Sequence, residues 1–486
     1  MALTKATYSM IEGACFNVLD FGAVGDNATN CTSAFQAAFD AANAAGGGAV
    51  YVPAGTYLTD KVTVYSKTAL IGENYGSAVV KLRNSQNTHL IYGDGSDALW
   101  GTGSGGGIYN FEMRDIVLDG NRTNNTTDSD TIAVVAIYGY AHRWENVRVQ
   151  NASNHGIWTE WGAGEPVPTA EFCTFKDVMI VIAGRHGFKF GGPRDSKFIS
   201  VQSVSAGQNT TNTYSGIVVY GAGNGRFIGC HVWSYSTANR MRSALLLQAS
   251  NNEFTANHFE GAFYANVHFQ TSSNNNFDFS NRVYSLVNFA GGSQMIFEGV
   301  SLYNNVRCLF GPGQGDLTPG AAPVFAVQLG VNSLTDNVAA NNIDVVVNQN
   351  EAGVLYYNMN AGAAGRGQNT MRFNEFSLRN PATYPITGTY VASDSIELIT
   401  EGNVRAYQNS NIQNGSITVP ANASANWIYP FPFDNTPRVV ITAKQPSASL
   451  VDNVWPSAVG NTQVTVFNDN SFDVDVDLIA MVNMTY

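Results

Sequence analysis

In the stretch Ile157-Trp-Thr-Glu160 an indole and a carboxylate lie two residues apart. On a strand that spacing puts both on one side. Two more carboxylates lie close by in sequence, Glu165 in WGAGEPVP and Asp195 in GGPRD. Hydrolysis of a glycosidic bond usually needs two carboxyl groups, about 5–5.5 Å apart for retention or 6.5–9.5 Å for inversion. Glu160 with Asp195 is the candidate pair, and Glu165 is the substitute partner. Arg185, His186 and Lys189 are available to bind an acidic sugar or to assist proton transfer. A second chemistry fits some of the same groups. β-Elimination from a uronic-acid polymer needs a base near the sugar C5 proton and a neutralised carboxylate, and Lys189, His268, Tyr220 and Arg194 can serve it. In a third reading the surface only holds a glycan, and ordinary loop charges explain any one pair equally well.

Such side chains must be positioned by repeating elements. An aromatic or large apolar residue opens a short alternating strand at Met113, Trp144, Phe175, Phe198, Phe227, Phe254, Phe277 and Phe297, at intervals of 31, 31, 23, 29, 27, 23 and 20 residues. A second apolar run follows each. Ile157, Phe188, Val267 and Phe310 lie 13 residues after Trp144, Phe175, Phe254 and Phe297. One such unit cannot bury its own apolar face, but stacked units can. The pattern is that of an all-β solenoid. Alternation then turns Ile157, Phe188, Ile217, Leu245 and Val267 inward, and Trp158, Lys189, Val218, Leu246 and His268 outward. Two residues on, the outward column reads Glu160, Gly191, Tyr220, Gln248 and Gln270. Aromatic rings offer flat apolar surface to a sugar and polar groups fix its hydroxyls, so Trp158, Lys189, Arg194, Tyr220, Gln248 and His268 are the candidate substrate-binding residues. The competing reading is a face packed against a sister subunit. Asp115, Asn146 and Asp177 align at a strand edge, where they are expected to hydrogen-bond turn amides.

Composition sets further bounds. Of 486 residues, 44% are apolar, 13% are charged and 48 are Gly, which suits a large core with many tight turns. The net charge of -12 argues against nucleic acid, which basic side chains must neutralise. The five cysteines are far apart, with no metal-ligand spacing, and are expected as reduced, buried thiols. No histidine or carboxylate cluster calls for a metal, and no cofactor is expected. No stretch approaches the roughly 20 apolar residues of a membrane span, so membrane insertion is not expected. MALTKATYSMIEGACF lacks the apolar core of a signal peptide. Synthesis and folding in a cytosol follow, or export by a route the sequence does not announce.

Toward the N-terminus, Ala34, Phe35, Ala38, Phe39 and Ala42 recur on one helical face. Thr32 or Ser33 is the expected cap, with Gln36 completing a capping box, and Gly46 to Gly48 stop the helix. An amphipathic helix leading into strands suits the open end of a stack. The segments FNVLDFGAVGD, TSAFQAAFDAA and GGGAVYVPAGTYL resemble the N-terminal signature of the pectate-lyase-like right-handed parallel β-helix superfamily. With TYSMIEGA ahead of them they are similar to bacteriophage tailspikes and depolymerases over about residues 8–75. Where such proteins often carry paired aspartates before the helix, this chain has Asn30-Cys31. The resemblance implies a virion tail protein made in the host cytoplasm and acting at the bacterial cell surface. It also implies a homotrimer, other phage tail proteins as partners, and a bacterial surface polysaccharide, capsule or O-antigen, as substrate.

The expected organisation is an attachment segment over 1–15, β-helix start and capping helix over 16–100, parallel β-helix over 101–375, a neck over 376–410 and a β-sandwich over 411–486. RNPATYPITGTY supplies the neck, and the alternating runs from NGSITVP onward supply the sandwich. Trimerisation is the first role expected of the sandwich and glycan binding the second.

Overall fold

The computed structural model describes residues 15–93, 107–159, 171–221, 223–234, 240–285, 293–312, 325–330, 336–347, 356–358, 369–375, 387–388, 395–400, 404–407, 412–428, 437–444, 454–460, 463–468 and 474–481. The attachment segment proposed over 1–15 lies almost wholly outside them.

An α-helix, Thr32–Ala44, plugs the start of the stack with Ala34, Phe35, Ala38, Phe39 and Ala42 buried. Its cap differs from the expected box. Asn30 Oδ1 accepts from the Thr32 amide at 3.0 Å and the Thr32 hydroxyl at 2.6 Å, so Asn30 does the capping. The Thr32 hydroxyl in turn accepts from the Asp60 amide, and Gln36 reaches across to the Thr63 backbone. Gln36, which would close the box with Ser33, is thus engaged by the first rungs. Gly47 and Gly48 then release the chain at φ +135° and +151°. A Cβ at Gly47 would lie 2.7 Å from the Lys67 carbonyl oxygen, and one at Gly48 2.8 Å from the Phe16 ring. Only glycine brings the chain this close to both neighbours.

From there the described chain winds into parallel rungs that contribute to two long sheets, one of 22 strands and one of 12. The larger sheet is bent along its length. Asp115, Asn146, Asp177, Ser200 and Ala256 take φ of +53° to +56°, and Gly229 takes +64°, all at one register position. Asn and Asp tolerate this left-handed conformation because their short polar side chains bond locally. Here they bond to each other, Asn146 Nδ2 donating to Asp115 Oδ1 at 2.7 Å. Each rung therefore has three legs, two in the larger sheet and one in the smaller.

The inward columns fall as their spacing predicts. Met113, Trp144, Phe175, Phe198, Phe227, Phe254 and Phe277 are mutually in register and buried. The last five form a ring stack with centroid spacings of 5.3, 4.3, 4.7 and 4.1 Å. Ile157, Phe188, Ile217, Leu245 and Val267 are likewise in register and buried. Phe297 departs from the expectation. It pairs with Phe269 in the smaller sheet, and Val306 is the true successor of Phe277. Twenty residues are too few to complete this rung, so the aromatic belongs to its third leg. Phe310, placed 13 residues further on by the same count, pairs with Val283 in the larger sheet.

Buried corners carry a second ladder. In Asn252, Asn275, Asn304, Asn341 and Asn369 each carboxamide Nδ2 donates to the next Oδ1 at 2.8–2.9 Å. Each Oδ1 after the first also accepts the backbone N–H of the asparagine before it. Four of the five cysteines are buried and all are free thiols. Parallel pairing continues past residue 375, with Thr370–Glu375 beside Ser395–Thr400, so the stack runs into the stretch assigned to the neck. Two three-stranded antiparallel sheets follow, Ile412–Val419, Val474–Met481 and Arg438–Lys444 in one, Ala423–Ile428, Gln463–Asn468 and Val454–Val459 in the other. They enclose Val419, Trp427, Val464, Val466, Val474, Val476 and Leu478 as a small separate core. Among the described residues no helix is long and apolar enough to cross a membrane.

Replacing Asn304 by Ala strands the Asn275 amide and removes one of two donors from the Ser272 carbonyl oxygen and from Asn341 Oδ1. At about 1–3 kcal/mol for a buried polar group left without its partner, the expected loss is about 2 kcal/mol, read as a lower thermal midpoint. Acid acts on a different group. His142 is fully buried, accepts the Phe111 amide on Nδ1, and burial pushes its pKa down to about 4. The unfolded chain binds this proton near the ordinary value of about 6.5, so the contribution is complete above that pH and is lost as pH falls toward 4. The thermal midpoint is expected to hold steady from pH 8 to 7 and to decline below about 6.5. An unchanged midpoint at pH 5 would contradict it.

Candidate functional site on the smaller sheet

The outer face of the smaller sheet carries a strip of rings and cations. Trp158, Lys189 and Val218 are level on neighbouring rungs, and Tyr220 lies two residues beyond Val218. Lys189 Nζ sits 4.5 Å from the Trp158 ring centroid and 5.7 Å from that of Tyr220, each a cation–π contact. Toward the helix plug the strip continues through Tyr138, edge-on to Trp158 at 6.2 Å, and Tyr92, edge-on to Tyr138 at 6.2 Å. Lys61 caps it, its Nζ 5.0 Å from the Tyr92 centroid. All four rings are half-buried. At roughly 4.8 Å per strand, the six rungs from Lys61 to Tyr220 span about 24 Å. This length accommodates several sugar rings of an extended polymer.

Beside the strip lies a polar cluster. His155 and His186 stack in parallel with centroids 5.2 Å apart. The His186 amide donates to His155 Nδ1 at 3.3 Å, and the Ser215 amide donates to His186 Nδ1 at 2.8 Å. Both rings therefore carry their proton on Nε2, and that of His155 is directed to Asp130 Oδ1 at 3.2 Å. Arg185 NH1 donates to the same oxygen at 2.8 Å, and its Nε donates to Asp128 Oδ1 at 2.7 Å. The electrostatics follow. The hydrogen bond from His155 holds Asp130 well below the usual carboxylate range, and that from Arg185 lowers Asp128. Burial lowers His155 and pushes His186 down to about 3. The Lys189 charge acts on all three neighbours, favouring ionised Asp130 and neutral histidines. The cluster thus holds two locked carboxylates and two neutral imidazoles beside a cation. A general acid for hydrolysis needs a raised pKa, and neither Asp128 nor Asp130 has one.

The structure unites some of the expected residues and separates others. Trp158, Lys189 and Tyr220 come together. Gln248, level with Gly221's neighbour Tyr220 in the next rung, is exposed on the same face and donates to Gln270 Oε1 at 2.6 Å. His268 is a correction. It has the outward parity, yet it is fully buried, with Nε2 3.0 Å from Glu298 Oε1 and the Tyr264 ring edge-on at 5.3 Å. Side chains from neighbouring positions cover the face there, so His268 offers no open surface for substrate. Arg194 and Asp195 sit on the corner that leaves the smaller sheet after Gly191 rather than on the sheet itself, both exposed, with Arg194 paired to Glu171 at 2.9 Å. Glu160 and Glu165 lie outside the described residues. Asp130, His155, Tyr92 and Tyr138 were not singled out by sequence. One signal was available, since His155 and His186 each stand two residues before the inward residues Ile157 and Phe188.

Comparison with known proteins agrees with this architecture. Residues 15–237 match the family described as rhamnogalacturonase A/epimerase, pectate lyase-like. A mannuronan C5-epimerase of Azotobacter vinelandii is 38% identical over 123 residues, 24% of this chain and 6% of that protein. The capsule KN3-specific depolymerase 1 of Klebsiella phage KN3-1 is 37% identical over 147 residues, 28% of this chain and 18% of that protein. This chain therefore spans less than a fifth of either relative. Among solved structures, a double mutant of the E. coli bacteriophage HK620 tailspike in complex with pentasaccharide superposes with a TM-score of 0.51 at 12% identity, covering 96% of this chain and 93% of that one. Residues 15–237 thus match the pectate-lyase-like family, and the three-legged rungs with their capping helix have the right-handed parallel β-helix fold of that tailspike.

Proposed function

We propose that this protein is a phage tailspike depolymerase that binds a bacterial surface polysaccharide along the Tyr92–Tyr220 strip and cleaves it internally. The carrying observation is the Lys189 ammonium held between the Trp158 and Tyr220 rings. A cation flanked by half-exposed rings fits an acidic sugar, its carboxylate on the ammonium and its apolar face on an indole. The phage depolymerase relative and the saccharide-bound tailspike support this substrate class. Action at the host surface from the virion tail, as a homotrimer with other tail proteins, belongs to the same proposal.

For bond cleavage the strip favours β-elimination. A base takes the proton at C5 of a uronic acid, its electrons form the C4–C5 double bond, and the C4–O bond breaks with the leaving oxygen taking a proton. Lys189 neutralises the carboxylate and stabilises the charge that develops on it. His186, neutral with its proton on Nε2, is a hydrogen-bond donor, and the Tyr220 ring beside Lys189 supplies apolar surface while its hydroxyl oxygen is buried. Relatives that epimerise mannuronan at C5, and an alginate lyase of Azotobacter vinelandii 28% identical over 186 residues, act on uronate polymers and accord with this chemistry. The second reading is hydrolysis by Glu160 with Asp195, or with Glu165. Its support is the exposed Asp195 at the corner and the sequence of the chain, in which Glu160 follows Thr159, the last residue of the Trp158 strand.

Digestion of capsule and O-antigen panels separates the readings, because elimination leaves an unsaturated sugar end that absorbs in the ultraviolet and hydrolysis does not. Lys189→Gln is expected to fold and to lose about 100-fold or more in kcat/KM, the scale of one lost charge-stabilising group. Trp158→Ala is expected to raise KM about 10-fold with kcat little changed, since stacking binds ground and transition states alike. Cleavage without ultraviolet gain, abolished by Glu160→Gln or Asp195→Asn, would replace elimination by hydrolysis. A polymer that binds and is never shortened would make the protein an adhesin.

A further inference from the structure

A second constellation lies on a different leg, beyond the left-handed corner of the larger sheet. His231 and His258 are in register on successive rungs with rings parallel to within 1° and centroids 4.4 Å apart. Glu260 follows His258 by two residues and shares its face. Its carboxylate meets both imidazoles, Oε1 at 3.2 Å from His231 Nε2 and Oε2 at 3.4 Å from His258 Nε2. Trp233 packs on the other side of His231 at 4.1 Å and fixes that ring. The carboxylate is 8% exposed, and Oε2 is buried with no hydrogen bond. Burial opposes its charge, yet the two facing imidazoles hold its pKa down at about 2. The column reads Gln202, His231, His258, Arg282, so imidazoles occupy only the two central rungs.

We propose that His231, His258 and Glu260 form a binding site for a divalent ion of the zinc class, clipping two successive rungs together. Two imidazole nitrogens and one carboxylate oxygen are a donor set for zinc and its transition-metal neighbours, whereas calcium and magnesium prefer oxygen alone. The spacing suits it. Donors about 2.0–2.1 Å from a tetrahedral ion lie about 3.3 Å from each other, and each imidazole nitrogen already lies at about that distance from one oxygen of the carboxylate, His231 Nε2 3.2 Å from Oε1 and His258 Nε2 3.4 Å from Oε2. The three ligand atoms lie within 4.8 Å of one another, and turning one imidazole out of the parallel stack would close the set. Both histidines are partly exposed, at 32% and 22%, which leaves one side open for water to complete the coordination.

The test uses the full-length chain stripped of metal and then given zinc, cobalt(II), magnesium or calcium chloride in turn. One zinc retained per chain after dialysis is expected, with a thermal midpoint several degrees higher in zinc and unchanged in magnesium or calcium. Cobalt(II) should give visible absorption of low-coordinate geometry. Glu260→Gln should weaken zinc binding at least 10-fold, and His231→Ala with His258→Ala should abolish it while cleavage at the other wall persists. No zinc retained by the native chain overturns the site. So does retention that survives the double histidine variant. If that variant does not fold, the cobalt spectrum of the native chain decides, and octahedral, all-oxygen absorption counts against the site.

Discussion

Parallel rungs stack with like residue over like residue, and each rung is held by the one beneath it. Phe198 lies on Phe227 with planes 8° apart, and Asn275 hands its carboxamide bonds to Asn304. Hydrogen bonds between strands run along the axis, so the same contact repeats at every step. A ladder of this kind satisfies buried polar groups that would each be costly alone. It also fixes register, because a slip of one residue would turn every inward ring toward solvent.

Register is what builds the outer wall. Side chains that alternation excludes from the core arrive at strand spacing, which sets Trp158, Lys189 and Tyr220 within cation–π distance of one another. The corner residues do the rest. His155 and His186 occupy equivalent positions on two rungs, and each accepts a backbone amide from the following rung, which settles which nitrogen bears the proton. Rung stacking thereby reaches the electrostatics of the wall, where Asp130 stays ionised because a neutral imidazole and Arg185 both donate to it.

The inward columns were legible in sequence because the interval between rungs and the alternation within them are both periodic. What the sequence hid is equally physical. Phe297 has the aromatic character of its column, but its 20-residue interval was the sign of a third leg. Outward parity placed His268 correctly and said nothing of Tyr264 covering it. Gln36 had the spacing of a capping box and was drawn instead to a strand 27 residues away. The His231–His258–Glu260 group has no metal-ligand spacing in one dimension, since two of its members are joined only by a whole turn of the coil. Asp130 was invisible for the same reason, as the Arg185 that engages it lies 55 residues later.

The helix Thr32–Ala44 has a consequence beyond filling the first rung. A cylinder of parallel strands presents at its end a row of open amides and carbonyls, the template on which another chain could add as in an amyloid fibril. By covering the interior at that end with Phe35 and Phe39, the helix denies an incoming strand the apolar surface it would need to dock, and so helps keep the solenoid finite.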